Sequence, residues 1–239
     1  MSPATPVLWH DLECGGYNED LPLWRELAAD APGPVLDVGA GTGRVTLDLA
    51  RRGHSVVALD VDAELLHTLR ERADGLAVET VAADARAFAL GRRFPLVIVP
   101  MQTVQLLGQD GRATFLACAR EHLAPGGLLA IALADALEGF DAEHTEPPLP
   151  DVREVDGVVY ASRPVAVRDH GDRVAIERIR ETVDCEGRRS AEGNVVVLDR
   201  VDAGGLAREA AAHGLHPLAP RRIAATDEYV GSTVVILRG

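Results

Sequence analysis

Lysine is absent from this chain, and all 24 basic residues are arginine. Chemistry that needs a lysine amine is thereby excluded: no Schiff base, no pyridoxal phosphate anchor, no phosphate-loop lysine. A coding bias toward arginine and alanine accounts for the gap. Cysteine is scarce as well, with Cys14, Cys118 and Cys185 far apart and odd in number. That pattern offers no C-x-x-C metal spacing and suits a reducing compartment. No apolar run is long enough to span a bilayer, and the segment around Trp9, His10, Asp11 and Glu13 lacks the shape of a signal peptide. A cytoplasmic protein with no membrane partner is expected. A basic face is missing too: 37 acidic residues outnumber the arginines and the net charge is −13. Arginine pairs such as Arg51-Arg52, Arg92-Arg93, Arg188-Arg189 and Arg221-Arg222 are scattered, so no nucleic-acid partner is expected.

What the chain does hold is concentrated in Val35-Leu-Asp-Val-Gly-Ala-Gly-Thr-Gly-Arg44. An apolar run stops at three glycines on alternate positions, Gly39, Gly41 and Gly43, and an amphipathic stretch follows. This spells a buried strand, a tight turn and a helix. Glycine serves where the backbone takes positive φ or approaches a ligand closely. The helix start adds unpaired N–H groups and a positive dipole end. Such a turn cradles the polar part of a nucleotide-like cofactor. The dinucleotide fingerprint is G-x-G-x-x-G. Here the spacing is G-x-G-x-G, and Arg44 stands where that pattern would have its third glycine.

Residues 1–16 read as irregular and 17–30 as a helix closed by Pro32 and Pro34. Strands are expected at 35–38, 55–59, 76–82, 96–99 and 128–133, with helices at 43–52, 63–73 and 111–123 and a loop at 122–127. Such alternation demands an α/β, doubly wound, mostly parallel sheet with ligands at the carboxyl ends of its strands. From 152 to 201 the texture turns to β-hairpins punctuated by Asp156-Gly157, Asp169-His-Gly-Asp172 and Cys185-Glu-Gly187. A helix at 202–213, a strand near 216–223 and a closing strand at 233–237 complete the chain. The expected organisation is an N-terminal lid over 1–34, a core of 35–136 with 202–239, and a β-rich insertion over 137–201. That insertion is expected to cover an acceptor pocket and to offer a homodimer surface.

With Asp37 two residues before the first glycine and Asp60 ending the second strand, the chain resembles the class I S-adenosylmethionine (SAM)-dependent methyltransferases of the small-molecule type. The resemblance implies a Rossmann-like seven-stranded sheet with an antiparallel insertion after strand five, and SAM as cofactor. It implies that Gly39, Ala40, Gly41 and Gly43 face the methionine part of SAM and that Asp37 holds the turn and reaches the amino group. By the same resemblance Asp60 accepts both ribose hydroxyls, with Val61 beside it. Asp84 then meets the adenine amino group, Ala85 supplies a backbone amide, and Met101 lies in the Pro100–Leu107 segment beside the sulfonium. Tyr17 resembles a lid tyrosine, although Asn18 replaces the aspartate that follows it in the family. Catalytic candidates are Tyr17, His10 and His144. The remaining histidines read as surface residues, and no metal is expected.

The resulting expectation is methyl transfer from SAM to an N or O atom of a small molecule. An RNA methyltransferase is disfavoured by the acidic balance and by the absence of an N-P-P-Y segment, for which Pro100-Met-Gln-Thr stands here. An NAD-dependent oxidoreductase is disfavoured by the glycine spacing and the lack of a Tyr/Lys pair. A non-catalytic SAM-binding protein remains compatible with the sequence.

Overall fold

A computed structural model describes residues 5–134, 139–144, 148–226 and 229–239. The chain divides into two compact units, Tyr17–Asp135 with Val201–Gly239, and Met1–Gly16 with Ala136–Arg200. Residues 1–34, grouped as one segment in the sequence, therefore part between Gly16 and Tyr17.

The first of these units is a parallel α/β sheet. After helix α2 (Leu21–Ala29) come β1 (Val35–Val38), α3 (Arg44–Arg51), β2 (Val56–Asp60), α4 (Ala63–Arg72), β3 (Val78–Ala82) and β4 (Phe94–Val99). A 3-10 turn at Thr103–Leu106, α5 (Gly108–His122) and β5 (Leu123–Ala134) follow. After residue 200 come α6 (Ala203–Ala212), the short strands β11 (His216–Pro217) and β12 (Arg221–Ile223), and β13 (Ser232–Arg238). The strand order is β11-β13-β5-β4-β1-β2-β3, with β12 also on β13. Strands β3 to β5 run parallel, and β13 enters antiparallel against β5, Val235 opposite Ile131. The doubly wound, mostly parallel sheet is thus present, with one short strand beyond the expected seven. All four β1 residues are buried, as a central strand covered on both faces requires. One apolar layer gathers Leu36, Val38, Phe115 and Leu206, and the other gathers Trp24, Val35, Leu49 and Ile98.

Local chemistry sets the boundaries. Asp62 caps α4, its Oδ1 accepting from Glu64 N at 2.8 Å and Leu65 N at 3.2 Å. At the other end of α4, Arg70 and Arg72 face the negative helix pole. The expected loop at 122–127 is instead a bulge inside β5. Phe94 pairs with Leu123, the register shifts, and pairing resumes at Leu96 with Leu128. A Cβ on Gly127 would sit 2.9 Å from the Phe94 carbonyl oxygen, so the Pro-Gly-Gly sequence serves a close backbone approach rather than a break. The single strand expected near 216–223 is split in two, and Pro220 falls in the gap, with no N–H to give a ladder.

The second unit is an antiparallel sheet, β10-β9-β8-β6 with β7 also on β8. Its strands are β6 (Phe140–Asp141), β7 (Asp151–Val155), β8 (Val158–Asp169), β9 (Arg173–Val183) and β10 (Arg189–Asp199). Asp156 at φ 52° and Gly157 at φ 76° make the two-residue turn between β7 and β8. Residues 5–14, expected to be irregular, form helix α1 (Thr5–Cys14). The contacts of α1 within this unit come from far along the chain. Trp9 meets Tyr160 edge-on at 5.6 Å, Arg180 lies over the Trp9 ring, and Glu13 accepts from Arg180 and from Ser162.

Gly43 provides a sharp check on this packing. It sits at φ 95°, and a Cβ there would fall 2.2 Å from Leu69 Cδ1. Gly43→Ala should destabilise the fold by about 2–4 kcal/mol, combining backbone strain with overpacking. The double variant Gly43→Ala/Leu69→Ala should lose at least about 1 kcal/mol less than the sum of the single changes, because the clash is gone. Urea denaturation of the four proteins measures this, and strict additivity would contradict it.

Candidate functional site: the glycine turn and its carboxylates

The turn after β1 is buried from Ala40 to Gly43, and φ is +77°, +54° and +95° at Gly39, Gly41 and Gly43. Two of these glycines answer to the protein itself. A Cβ on Gly39 would meet Thr103 Cγ2 and Oγ1 at 2.5 Å, and one on Gly43 would meet Leu69. Side chains from the segment after β4 and from α4 therefore fill the space that glycine leaves. Gly41 is held differently: its N–H donates to Asp60 Oδ2 at 2.7 Å.

Asp60 ends β2 and spans the turn. Its Oδ1 accepts from the Asp62 amide at 2.9 Å, so each carboxylate oxygen takes one backbone N–H. A carboxylate offers about four lone-pair sites, which leaves one acceptor position on each oxygen. That arrangement suits a pair of neighbouring hydroxyls.

Asp37, on β1, is 1% exposed. Its Oδ2 accepts from the Thr46 hydroxyl at 2.6 Å, while Oδ1 is buried with no hydrogen-bond partner. Burial pushes its carboxyl up to about 6, against the opposing pull of the Thr46 bond and the Arg44 charge. The nearby charges of Asp60 and Asp20 push further upward. An orphaned, desolvated carboxylate oxygen is chemically matched to a cationic amine.

The other predicted residues are distributed as follows. Asp84 follows β3, and Arg86 chelates it. Oδ1 accepts from Arg86 N and Nε, and Oδ2 from Nε and Nη2, at 2.5–3.0 Å. The bonds from the Arg86 side chain hold the Asp84 carboxyl down at about 2. Ala85 packs against the core, and Val61 is 74% exposed. Met101 stands at φ 55°, a non-glycine residue in the left-handed region, where strain commonly marks a functional segment. Near it, Gln105 Oε1 accepts the Ala134 amide at 2.9 Å and so ties this segment to the end of β5.

Tyr17 is buried; its ring lies 5.1 Å from that of Tyr229 and its hydroxyl 3.5 Å from Ser232 Oγ. Burial raises its hydroxyl pKa. Two catalytic candidates, His10 on α1 and His144, belong to the other unit. His144 lies with Asp141 and Glu143, their ligand atoms within 4.8 Å of one another. Asp141 in that trio is ion-paired with Arg168. Sequence reasoning missed Thr46, Arg86 and Asp20. Arg86, two residues past Asp84, was the one with a local signal.

A family model described as a methyltransferase domain matches residues 35–127. The chain is similar to that family over these residues. Its fold aligns with that of a SAM-bound amino pentose methyltransferase from Micromonospora echinaspora at a TM-score of 0.72 and 24% identity. That alignment covers 98% of this chain and 97% of the other. A sugar N-methyltransferase from Streptoalloteichus sp aligns at 0.74 and 18% identity, over 100% and 94% of the two chains. Among curated proteins, a cypemycin N-terminal methyltransferase from Streptomyces sp is 32% identical over 134 residues, 54% of this chain and 55% of that protein. An rRNA adenine N-6-methyltransferase from Corynebacterium diphtheriae is 34% identical over 74 residues, 31% and 29% of the two chains. The alignments thus span about half, or less, of the length of these curated relatives. Among the described residues no helix is long and apolar enough to cross a membrane.

Asp37 makes the stability of this fold depend on pH in a defined direction. Its folded value of about 6 lies above the ordinary 3.8, so between these limits the unfolded chain releases a proton that the folded chain keeps. The contribution of Asp37 to stability is therefore full below pH 3.8, falls as pH rises toward 6, and is level above that. Relative to wild type, Asp37→Asn should gain about 2–3 kcal/mol between pH 4 and pH 7. Urea denaturation of both proteins across this range tests it, and parallel pH curves would refute it.

Proposed function

We infer that this protein transfers the methyl group of SAM to an amine nitrogen of a small molecule or peptide. The observation that carries the reading is the pair of carboxylates at one glycine turn. Asp37 has an orphaned buried oxygen, and Asp60 has one free acceptor position on each oxygen. A methionine-type ammonium and a ribose diol are complementary to these two groups respectively. NAD offers diols but no primary ammonium to match Asp37, which favours SAM over a dinucleotide.

SAM, when bound, supplies an electrophilic methyl on a sulfonium. The remaining work falls to the chain: Asp37, fixed by the Thr46 hydroxyl, holds the cationic amino end, and Asp60, fixed by the Gly41 and Asp62 amides, holds the ribose hydroxyls. Alignment of donor and nucleophile contributes on the order of 7–11 kcal/mol to such a displacement. The acceptor nitrogen attacks with its lone pair, the carbon–sulfur bond breaks toward sulfur, and the nitrogen then releases a proton to water. An amine attacks in its neutral form and demands no general base, which is consistent with a site built from binding carboxylates. Support for nitrogen over oxygen comes from the names of the amino pentose, sugar N- and peptide N-terminal methyltransferases that this chain resembles. The net charge of −13 favours approach of cationic amines and opposes RNA. The rRNA methyltransferase alignments span a third of this chain or less.

In this reading Ala40 and Val61 complete the cofactor cradle and Met101 borders the methyl. Asp84 turns to the adenine amino group only if Arg86 yields one of its bonds. Titration calorimetry should show SAM and its demethylated product S-adenosylhomocysteine binding, and NAD not binding. Asp60→Ala should weaken SAM binding by about 2–4 kcal/mol, roughly 30- to 1,000-fold, with the fold retained. Unchanged affinity would remove Asp60 from the site.

Acceptor choice we assign to residues 152–201. Replacing them with a short Gly/Ser linker should leave SAM affinity within about tenfold of wild type. Turnover of amines that the wild type methylates, read by mass spectrometry as gain of one methyl, should vanish. Retained turnover in a well-folded truncated protein would refute the assignment.

A further inference from the structure

Arg44 opens α3 directly after the glycine turn, and its guanidinium reaches back to the segment that precedes α2. The side chain is 10% exposed and its partner Asp20 is 1% exposed. Nη1 donates to the Tyr17 carbonyl oxygen at 2.7 Å and to Asp20 Oδ1, and Nη2 donates to Asp20 Oδ2 at 2.7 Å. Cζ lies 5.1 Å from the centre of the Tyr17 ring, within reach of a cation–π contact. Asp20 Oδ2 also accepts from Trp24 Nε1 at 2.8 Å. One guanidinium therefore contacts the backbone, the ring and the buried counter-ion of residues 17–24.

Its leverage comes from position. The residue before Arg44 is Gly43, left-handed at φ 95°, hemmed in by Leu69 and Leu47 and bonded through its N–H to the Ala40 carbonyl oxygen and through its carbonyl to the Leu47 amide, so the first helical residue follows the turn's backbone. A planar guanidinium fork bonded to both oxygens of a buried carboxylate tolerates little rotation. Displacement of the turn thus moves the fork, and the fork moves Asp20 and Tyr17.

We propose that Arg44 is a positioning residue that makes residues 17–24 and the glycine turn one mechanical body, so that filling the turn with SAM orders the Tyr17 segment. The proposal rests on the SAM reading above. It goes beyond that reading by giving a role to the residue that departs from the dinucleotide pattern.

A purely electrostatic role must be separated from this docking role, because Arg44 also bears on Asp37. The groups around Asp37 are the Thr46 hydroxyl, the Arg44 cation and the carboxylates of Asp60 and Asp20. Arg44→Met removes a cation from that set and Asp20→Asn removes an anion. On electrostatics alone the two changes act oppositely on Asp37 and on its affinity for an ammonium. On docking they act alike, since each breaks the same buried pair.

Wild type, Arg44→Met, Asp20→Asn and Arg44→Lys are compared by calorimetry with SAM at pH 8, where Asp37 is ionised, and by hydrogen exchange with and without SAM. In wild type, SAM should slow exchange of the amides of 17–24 about tenfold, in step with those of 39–46. Arg44→Met and Asp20→Asn should both weaken SAM binding about tenfold and both lose the ligand-dependent protection of 17–24. Arg44→Lys keeps the charge but not the fork, and should resemble them in exchange. It also substitutes for Arg44→Met if that variant does not fold. The pH midpoint of SAM affinity should rise in Arg44→Met and fall in Asp20→Asn. Wild-type SAM affinity in Asp20→Asn, or persistent ligand-dependent protection of 17–24 in Arg44→Lys, would overturn the proposal. If folded wild type binds neither SAM nor S-adenosylhomocysteine, the SAM reading fails. The docking claim is then decided in the ligand-free proteins, where 17–24 must exchange faster in Arg44→Lys than in wild type.

Discussion

The hydrogen bond from the Gly41 amide to Asp60 is the contact on which the rest of the site depends. Parallel strands β1 and β2 end side by side, and the chain leaving β1 must reverse within five residues to start α3. A backbone with φ positive at three alternate glycines has few internal partners for its N–H groups. Asp60, projecting from the end of the neighbouring strand, supplies one of them and ties the turn to the sheet. With the turn fixed, α3 starts in one direction, Thr46 faces Asp37, and Arg44 reaches Asp20. Turn shape and the placement of the two carboxylates are consequences of a single crossing geometry.

The site also illustrates how folding and binding oppose one another. Asp37 is buried beside the carboxylates of Asp60 and Asp20, with one oxygen unbonded. In the ligand-free fold that is a destabilising arrangement, tolerated because the surrounding apolar layers hold the strand in place. On the proposed reading a cationic ligand would convert the same carboxylate into a favourable contact. The stability lost to Asp37 and the affinity gained from it would then be two measurements of one desolvated charge.

Much of the parallel unit was legible in the sequence because its signals are local. The apolar run before Gly39 and the Asp62 cap each announce themselves within a few residues, and so, in the antiparallel unit, does the Asp156-Gly157 turn. Long-range chemistry was not legible. Helix α1 has weak amphipathic patterning, and its contacts on Tyr160, Ser162 and Arg180 arise about 150 residues away. The bulge in β5 was mistaken for a loop because Pro-Gly-Gly is written the same way in both. At the site, the positions of Asp37 and Asp60 followed from spacing. The saturation of Asp84 by Arg86 and the burial of Asp20 depended on side-chain geometry that no spacing encodes.

The packing of Thr103 on Gly39 and of Leu69 on Gly43 bears on how motifs of this kind are interpreted. Those two glycines are demanded by neighbouring side chains, whatever the turn holds. A descendant of this protein that had lost its ligand would still be under pressure to retain them, and would still display the glycine signature. Asp37 is under no such protection, since its removal relieves the apo fold. An intact glycine turn beside an apolar residue or an asparagine at position 37 would therefore mark a scaffold that has outlived its chemistry.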